Sequence, residues 1–280
     1  MADDTDADVL VVGGGVAGLT AATFTARAGL DTLVVSDGES ILRRNAHLEN
    51  VPGFPAGVNP RQYADLLEEG ARRNGCRRRE GRVTRLERVA DGGEEGGDGA
   101  DGGDAGARFE ATVETVGTES DADAESGGGD ADDADADAVT ATAVVAASWS
   151  DASYLDGVDV ARRTAGSKTF LQPDRDGRTG VEGLYAAGRL AESSHQTVVA
   201  AGDGARAALS LVHDSDVPFY HDWVVPEGYF TGRGREVPPG CEEIDAAERE
   251  HRAAESRAVM RERFADPHPD DPTPHPSQGE

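Results

Sequence analysis

The residues with the clearest chemical content are Gly13, Gly14, Gly15, Val16, Ala17 and Gly18, a G-x-G-x-x-G run directly after the apolar segment Asp8-Val9-Leu10-Val11-Val12. In such a run the first glycine permits a tight turn and the second lets a pyrophosphate approach the backbone. The third lets a helix lie close to the preceding strand. Phosphates then sit on the positive end of that helix. Val16 and Ala17, between the glycines, are counted with Gly13, Gly15 and Gly18 as candidate dinucleotide contacts. The run by itself does not separate FAD from NAD, and a purely structural glycine turn is the alternative. A ribose-binding acid belongs at the end of the next strand, ~20 residues further on. That place holds Ser36, followed by Asp37 and Glu39. Asp37 is the nearest carboxylate, and a solvated loop acid is the competing reading for it.

These residues need elements to hold them. Residues 8–12 read as a buried parallel strand because they are apolar without alternation. Residues 19–27 read as an Ala-rich helix that Gly29 stops, and 32–35 as a second strand. The result is a βαβ unit. A helix is expected over 60–74 and a strand over 83–89, with Val83, its first residue, also counted as a cofactor contact. Strands are further expected at 109–113 and 139–147, and one more at 183–188. Residues 197–212 read as an Ala-rich helix, and 241–264 as a charged one. Two stretches, 91–106 and 118–138, are almost wholly Gly, Asp, Glu and Ala. Neither can bury enough apolar surface to offset the entropy of ordering it, so both read as long acidic loops of a small antiparallel meander. The organisation expected is one domain over 1–213, a C-terminal extension over 214–265, and a disordered Pro-rich tail over 266–280.

Composition excludes several functions. The 280-residue chain carries 27 basic and 54 acidic residues, a net charge of -27. A nucleic-acid binder needs a basic face, and an anionic membrane repels such a surface. Lys168 is the only lysine. This acid-rich, lysine-poor balance points to a salt-rich cytoplasm of the haloarchaeal type, where carboxylates stay hydrated and their repulsion is screened. No run of 18 apolar residues is present, so no membrane span is expected, and the start lacks a signal-peptide pattern. Cys76 and Cys241, the only cysteines, make no C-x-x-C pair or zinc spacing. No metal site is expected.

Four blocks, in order, carry a family resemblance. They are Val-Val-Gly-Gly-Gly-Val-Ala-Gly-Leu-Thr-Ala-Ala at 11–22, Glu49-Asn50-Val51-Pro52-Gly53-Phe54-Pro55, and Gly180-Val181-Glu182-Gly183-Leu184-Tyr185-Ala186-Ala187-Gly188. The fourth is His195-Gln196-Thr197 running into Ala201-Gly202-Asp203-Gly204-Ala205. In them the chain resembles the thioredoxin-reductase-like flavoproteins of the pyridine nucleotide-disulfide oxidoreductase superfamily, over residues 8–75 and 139–212. The resemblance implies a Rossmann-like FAD-binding α/β fold. It also implies an ADP half at the first block, Asn50 near the isoalloxazine, Gly188 and the residue after it at the ribityl chain, and Gln196 and Thr197 at the flavin N1–C2 edge. A positive helix end and backbone donors suit a reduced, anionic flavin. For Asn50 the alternative is a turn residue before Pro52.

The chain departs from the family in three places. The family's Ala-Gly-Asp is Ala187-Gly188-Arg189 here. A guanidinium only donates, so Arg189 suits the pyrophosphate as a bidentate partner or else faces solvent. The redox dithiol is absent. The NADPH domain is absent too, since it needs on the order of 100 residues and only residues 150–182 lie where it would be, after Ala147-Ser148-Trp149. The aromatic run 219–230 either covers the exposed flavin or packs on the protein itself or on a second subunit, so a homodimer stays open. The reading is a flavin-dependent electron- or hydride-transfer protein with donor and acceptor, a redox protein or a small molecule, supplied in trans. No general acid or base stands out. The alternative is a non-catalytic flavin-binding or interaction protein.

Overall fold

In the computed structural model, which describes residues 5–89, 108–115 and 136–274, the elements in chain order are β1 (Ala7–Val12), α1 (Val16–Arg27), β2 (Thr32–Ser36), α2 (Pro60–Arg73), β3 (Arg77–Glu80), β4 (Arg82–Val89), β5 (Arg108–Glu114), β6 (Ala136–Ala146), β7 (Arg162–Ala165), β8 (Lys168–Leu171), β9 (Leu184–Ala186), α3 (Thr197–Asp214), β10 (Trp223–Pro226), β11 (Cys241–Ile244) and α4 (Ala246–Arg263). The main sheet runs β3-β2-β1-β6-β5-β4, and β9 pairs with β6. Strands β1, β2, β3 and β9 lie parallel with the carboxyl half of β6. The amino half of β6 turns instead to the antiparallel meander with β5 and β4. This is a Rossmann-like parallel sheet that shares its longest strand with a small antiparallel one.

Alternation along the strands explains why the parallel part is buried on both faces. Val9, Val11, Val34 and Val145 point to the helix side, where they pack with Ala21, Ala22, Ala207 and Leu211 of α1 and α3. Leu10, Val12, Leu33 and Val144 point to the other side, among Phe109, Leu86, Leu155 and Leu171. Such strands read as unbroken apolar runs. The two helices approach closely because Gly204 of α3 has no side chain: a β-carbon there would lie 2.1 Å from the Ala17 carbonyl oxygen.

Several elements differ from the expectations above. Helix α1 starts at Val16 rather than 19, since the glycine loop itself caps it. Strand β6 starts at Ala136, so 136–138 belong to the sheet; the loop stretches 91–106 and 118–135 lie outside the described residues. The expected helix over 241–264 begins only at Ala246, where the Asp245 side chain accepts from Glu248 N at 2.8 Å. Residues 241–244 are strand β11, which pairs with β10. Strand β3 (Arg-Arg-Arg-Glu) has no apolar residue to signal it. As the edge of the sheet it is the place where charged side chains are tolerated and useful. Of the tail, residues 266–274 are described and lie along the chain with fixed contacts rather than as a structureless end, whereas 275–280 lie outside the described residues. No described helix is long and apolar enough to cross a membrane.

Candidate functional site

At the carboxyl ends of β1, β2 and β6, where ligands of open α/β sheets bind, the structure has a cleft of about 1080 Å³. Its floor is the glycine loop. Gly13 adopts φ 111, and a β-carbon there would sit 2.5 Å from the Ala147 carbonyl oxygen. Only glycine takes both that dihedral and that approach. At Gly18 a β-carbon would lie 1.9 Å from the Gly13 carbonyl oxygen, so Gly18 closes the turn from behind. Gly15 is the opposite case: a β-carbon there would meet nothing nearer than Ser40 Oγ at 3.7 Å. Its open side faces the cleft, as the approach of a phosphate to the backbone requires.

Of the residues singled out in the sequence, Gly13, Gly15, Val16 and Ala17 line this cleft with Ser36, Asp37 and Val83 on one side. Asn50, Gly188, Arg189, Gln196 and Thr197 line it on the other, and Gly18 stays behind the loop. Ser36 Oγ is buried, packs under Gly14 and has no hydrogen-bond partner among the described residues. Asp37 pairs with Arg82 at 3.5 Å, and Arg82 reaches Asp151 at 3.3 Å. Burial pushes the Asp151 carboxyl up. Hydrogen bonds from Ser153 and the Arg82 guanidinium outweigh this and hold it below the usual range. At the other end Asn50 Nδ2 donates to Gln196 Oε1 at 2.6 Å, which joins the 37–50 wall to the start of α3.

Arg189 combines three features. Its guanidinium stacks on the Phe170 ring at 4.7 Å and donates to the Ser193 carbonyl at 3.3 Å, yet its buried Nε has no partner among the described residues. No carboxylate pairs with it among the described residues, in a chain rich in carboxylates. A buried donor left unmade costs free energy of about 1–3 kcal/mol, so a ligand acceptor is the natural complement. Ser36 Oγ and Arg189 Nε are thus two unsatisfied polar atoms on opposite walls.

Sequence alone does not mark other parts of this site. Arg61 of α2, only 4 % exposed, donates to the Arg43 and Asn45 carbonyls at 3.0 Å each and so pins the 41–45 segment of the wall. Trp149 lines the cleft at φ 61, a left-handed conformation that costs a non-glycine residue on the order of 1–3 kcal/mol, and its ring lies 4.7 Å from that of His195. Partial burial, then the positive charges of Arg189 and Lys168, hold the His195 imidazole below its usual value. The signal available for both was position, after β6 and before α3. The aromatic run 219–230 does not line the cleft. It stacks on itself, His221 on Trp223 at 4.9 Å, and is tied to α1 by the Arg27–Asp222 ion pair. No group of three metal-ligating side chains occurs among the described residues.

Comparison with known proteins agrees with this geometry. Residues 8–48 match the FAD binding domain family. The thioredoxin reductase of Listeria monocytogenes is 37% identical over 89 residues, 31% of this chain and 27% of that protein. The thioredoxin reductase of Treponema pallidum is 39% identical over 72 residues, 24% of this chain and 23% of that one. The chain therefore spans about a quarter of the length of these curated relatives. The crystal structure of Lactococcus lactis thioredoxin reductase superposes with a TM-score of 0.55 at 14% identity, over 75% of this chain and 99% of that one. The thioredoxin reductase of T. acidophilum gives 0.51 at 17%, over 75% and 99%. The shared fold and the matched glycine-loop segment agree: the chain has a Rossmann-like fold with an FAD-binding segment and is similar to thioredoxin reductases over about a third of its length.

Proposed function

We propose that the chain is a flavin-dependent oxidoreductase, transferring electrons or hydride through FAD, with donor and acceptor supplied in trans. The observation that carries this is the cleft itself, with a phosphate-accessible Gly15 on its floor and unpartnered Ser36 Oγ and Arg189 Nε on its walls. The glycine loop and the start of α1 would hold the pyrophosphate, Ser36 and Asp37 the adenosine ribose, and Asn50, Gln196 and Thr197 the isoalloxazine end. Arg189 would meet the pyrophosphate or the ribityl hydroxyls, with donors only. Bound flavin supplies both hydride and single-electron chemistry, and the protein sets its access and surroundings.

Support for a donor in trans comes from residues 147–183, between β6 and β9. They hold a short 3-10 turn at Ser153–Leu155 and the β7–β8 hairpin, and no second glycine fingerprint. The two cysteines of the chain do not serve as a relay. Burial pushes the Cys76 thiol up to about 11, and it donates to the Ala22 carbonyl at 3.1 Å, whereas Cys241 lies in β11 of the extension. A thiol that stays protonated is a poor nucleophile.

The test is direct. Purified protein, denatured after incubation with FAD, should release about one FAD per chain, as expected for the single fingerprint. Absence of flavin overturns the proposal. Mixing the loaded protein with NADPH and thioredoxin should give slow bleaching and no thioredoxin turnover, because the sequence has no second dinucleotide fingerprint to hold a nicotinamide in near-attack geometry. Rapid bleaching with thioredoxin turnover contradicts the trans arrangement. Turnover with a ferredoxin or another added donor separates the enzyme from the non-catalytic reading.

A further inference from the structure

We propose that Trp149 and His195 form an aromatic gate at the flavin end of the cleft and determine which reductants reach the bound cofactor. The proposal rests on the reading that the cleft takes FAD. Three observations carry it.

The first is position. The glycine loop fixes the middle of the cleft, and Ser36 and Asp37 follow β2 on one side. The end left for the isoalloxazine is the one where Asn50 meets Gln196. Trp149 follows the carboxyl end of β6 and His195 directly precedes Gln196 at the start of α3, so the two come from different elements and their rings meet next to that residue. Both line the cleft, and Trp149 is 36 % exposed.

The second is the backbone. Trp149 occupies a left-handed conformation for which an indole is a poor choice and glycine a good one. The turn around it is firmly held. Asp151 N donates to the Ser148 carbonyl at 3.2 Å, and the Ser148 hydroxyl contacts the Asp151 carbonyl at 2.7 Å and the buried Tyr154 hydroxyl at 3.0 Å. A strained residue held by its surroundings points to a use for its side chain at that place.

The third is chemistry. The two rings lie 4.7 Å apart at an angle of 56°, within the range of attractive aromatic pairs. A planar reductant such as a dihydronicotinamide needs a ring-sized space at the mouth, and these two rings already fill one. A donor that passes single electrons from outside needs no such space. The gate therefore selects by shape, against planar two-electron donors and for partners that act across it.

The experiment uses the full chain with Trp223→Phe, which leaves Trp149 as the only tryptophan, since the chain has two. Trp223 lies outside the cleft. Trp149→Gly in the original chain relieves the left-handed strain, so it should fold. FAD affinity is measured by titration, and access to the bound flavin by acrylamide quenching of its emission. Acrylamide is neutral, so the acidic surface does not bias it. With the gate in place, FAD should quench Trp149 emission and bound flavin should resist acrylamide. In Trp149→Gly, FAD should bind with similar affinity while quenching rises severalfold, and His195→Ala should move it in the same direction. If none of the three chains binds FAD, the underlying reading fails and the gate with it. If FAD binds but quenching is equal in all three, the gate is overturned and the FAD site stands. Loss of FAD affinity without greater access in the flavin that remains also overturns it, because Trp149 would then be a cofactor contact.

Discussion

A β-carbon added at Gly15 finds its nearest neighbour at 3.7 Å, whereas one added at Gly18 lands 1.9 Å from the Gly13 carbonyl oxygen. The two positions of one motif should therefore fail in different ways. Gly15→Val should leave the apo protein folded, since its backbone is extended and its surroundings are open, and should abolish FAD binding by filling the space a pyrophosphate needs. Gly18→Val should destabilise the protein with or without FAD, by about 1–3 kcal/mol or more, as overpacking does. Thermal unfolding without cofactor and FAD titration separate the two, and equal loss of fold in both variants would remove the argument for Gly15. Spacing makes the glycines legible in the sequence, because each one answers a backbone need at a fixed offset. Arg61 and Trp149 are not legible as site residues, and His195 shows only as the start of the block that leads into α3. Their roles arise from contacts across elements, and nothing local in Ser148-Trp149-Ser150 marks a left-handed turn.

Elements show the same division. Strands β1, β2 and β6 and helices α1 and α3 carry continuous apolar or Ala-rich patterns that can be read directly, whereas β3, β10 and the β7–β8 hairpin strands are four residues each and are charged, aromatic or too short to show a period. The tail departs from its expectation because proline content speaks against regular structure, not against contacts. Its residues run along the outside of the cleft wall. His268 contacts Asp65 at 3.0 Å, the Thr273 hydroxyl donates to Glu39 at 2.6 Å, and Thr273 N donates to the Arg43 carbonyl at 3.3 Å. Arg43 itself pairs with Asp65. The wall that lines the cleft is thus held from inside by Arg61 and from outside by the tail. Exposed contacts of this kind contribute about 0–1 kcal/mol each. Ending the chain after Ala265 should therefore shift the unfolding midpoint little, while FAD dissociates faster because the 37–45 wall loses its outer support. Dissociation followed by flavin fluorescence checks this, and an unchanged rate would show that Arg61 and the Arg43–Asp65 pair fix the wall without the tail.

At the scale of the whole molecule, charge dominates. Acidic residues outnumber basic ones 54 to 27, and many of the described arginines are already engaged: Arg27 with Asp222, Arg77 with Asp31, Arg79 with Asp137, Arg178 with Asp214, Arg252 with Glu242. The remaining carboxylates have too few cations to offset them. Salt acts on both populations. It weakens each exposed pair, which contributes little to begin with, and it screens the repulsion among the surplus acids, which extends over the whole surface. The screening length is about 10 Å at 0.1 M ionic strength and about 3 Å at 1 M. Near-neighbour ion pairs therefore survive high salt better than repulsion between distant carboxylates does. Net self-repulsion disfavours the compact state, so the balance runs one way: stability rises with salt. Thermal unfolding of the FAD-free protein in a KCl series from molar to millimolar should show a large, continuous fall in midpoint. The series is run near neutral pH, where the carboxylates are ionised. Repeating it near pH 4.5, the pI of the chain, should flatten the dependence, because protonation removes the repulsion that salt otherwise screens. A midpoint that stays constant across the neutral series, or that rises as salt is withdrawn, would mean that the ion pairs outweigh the surplus charge.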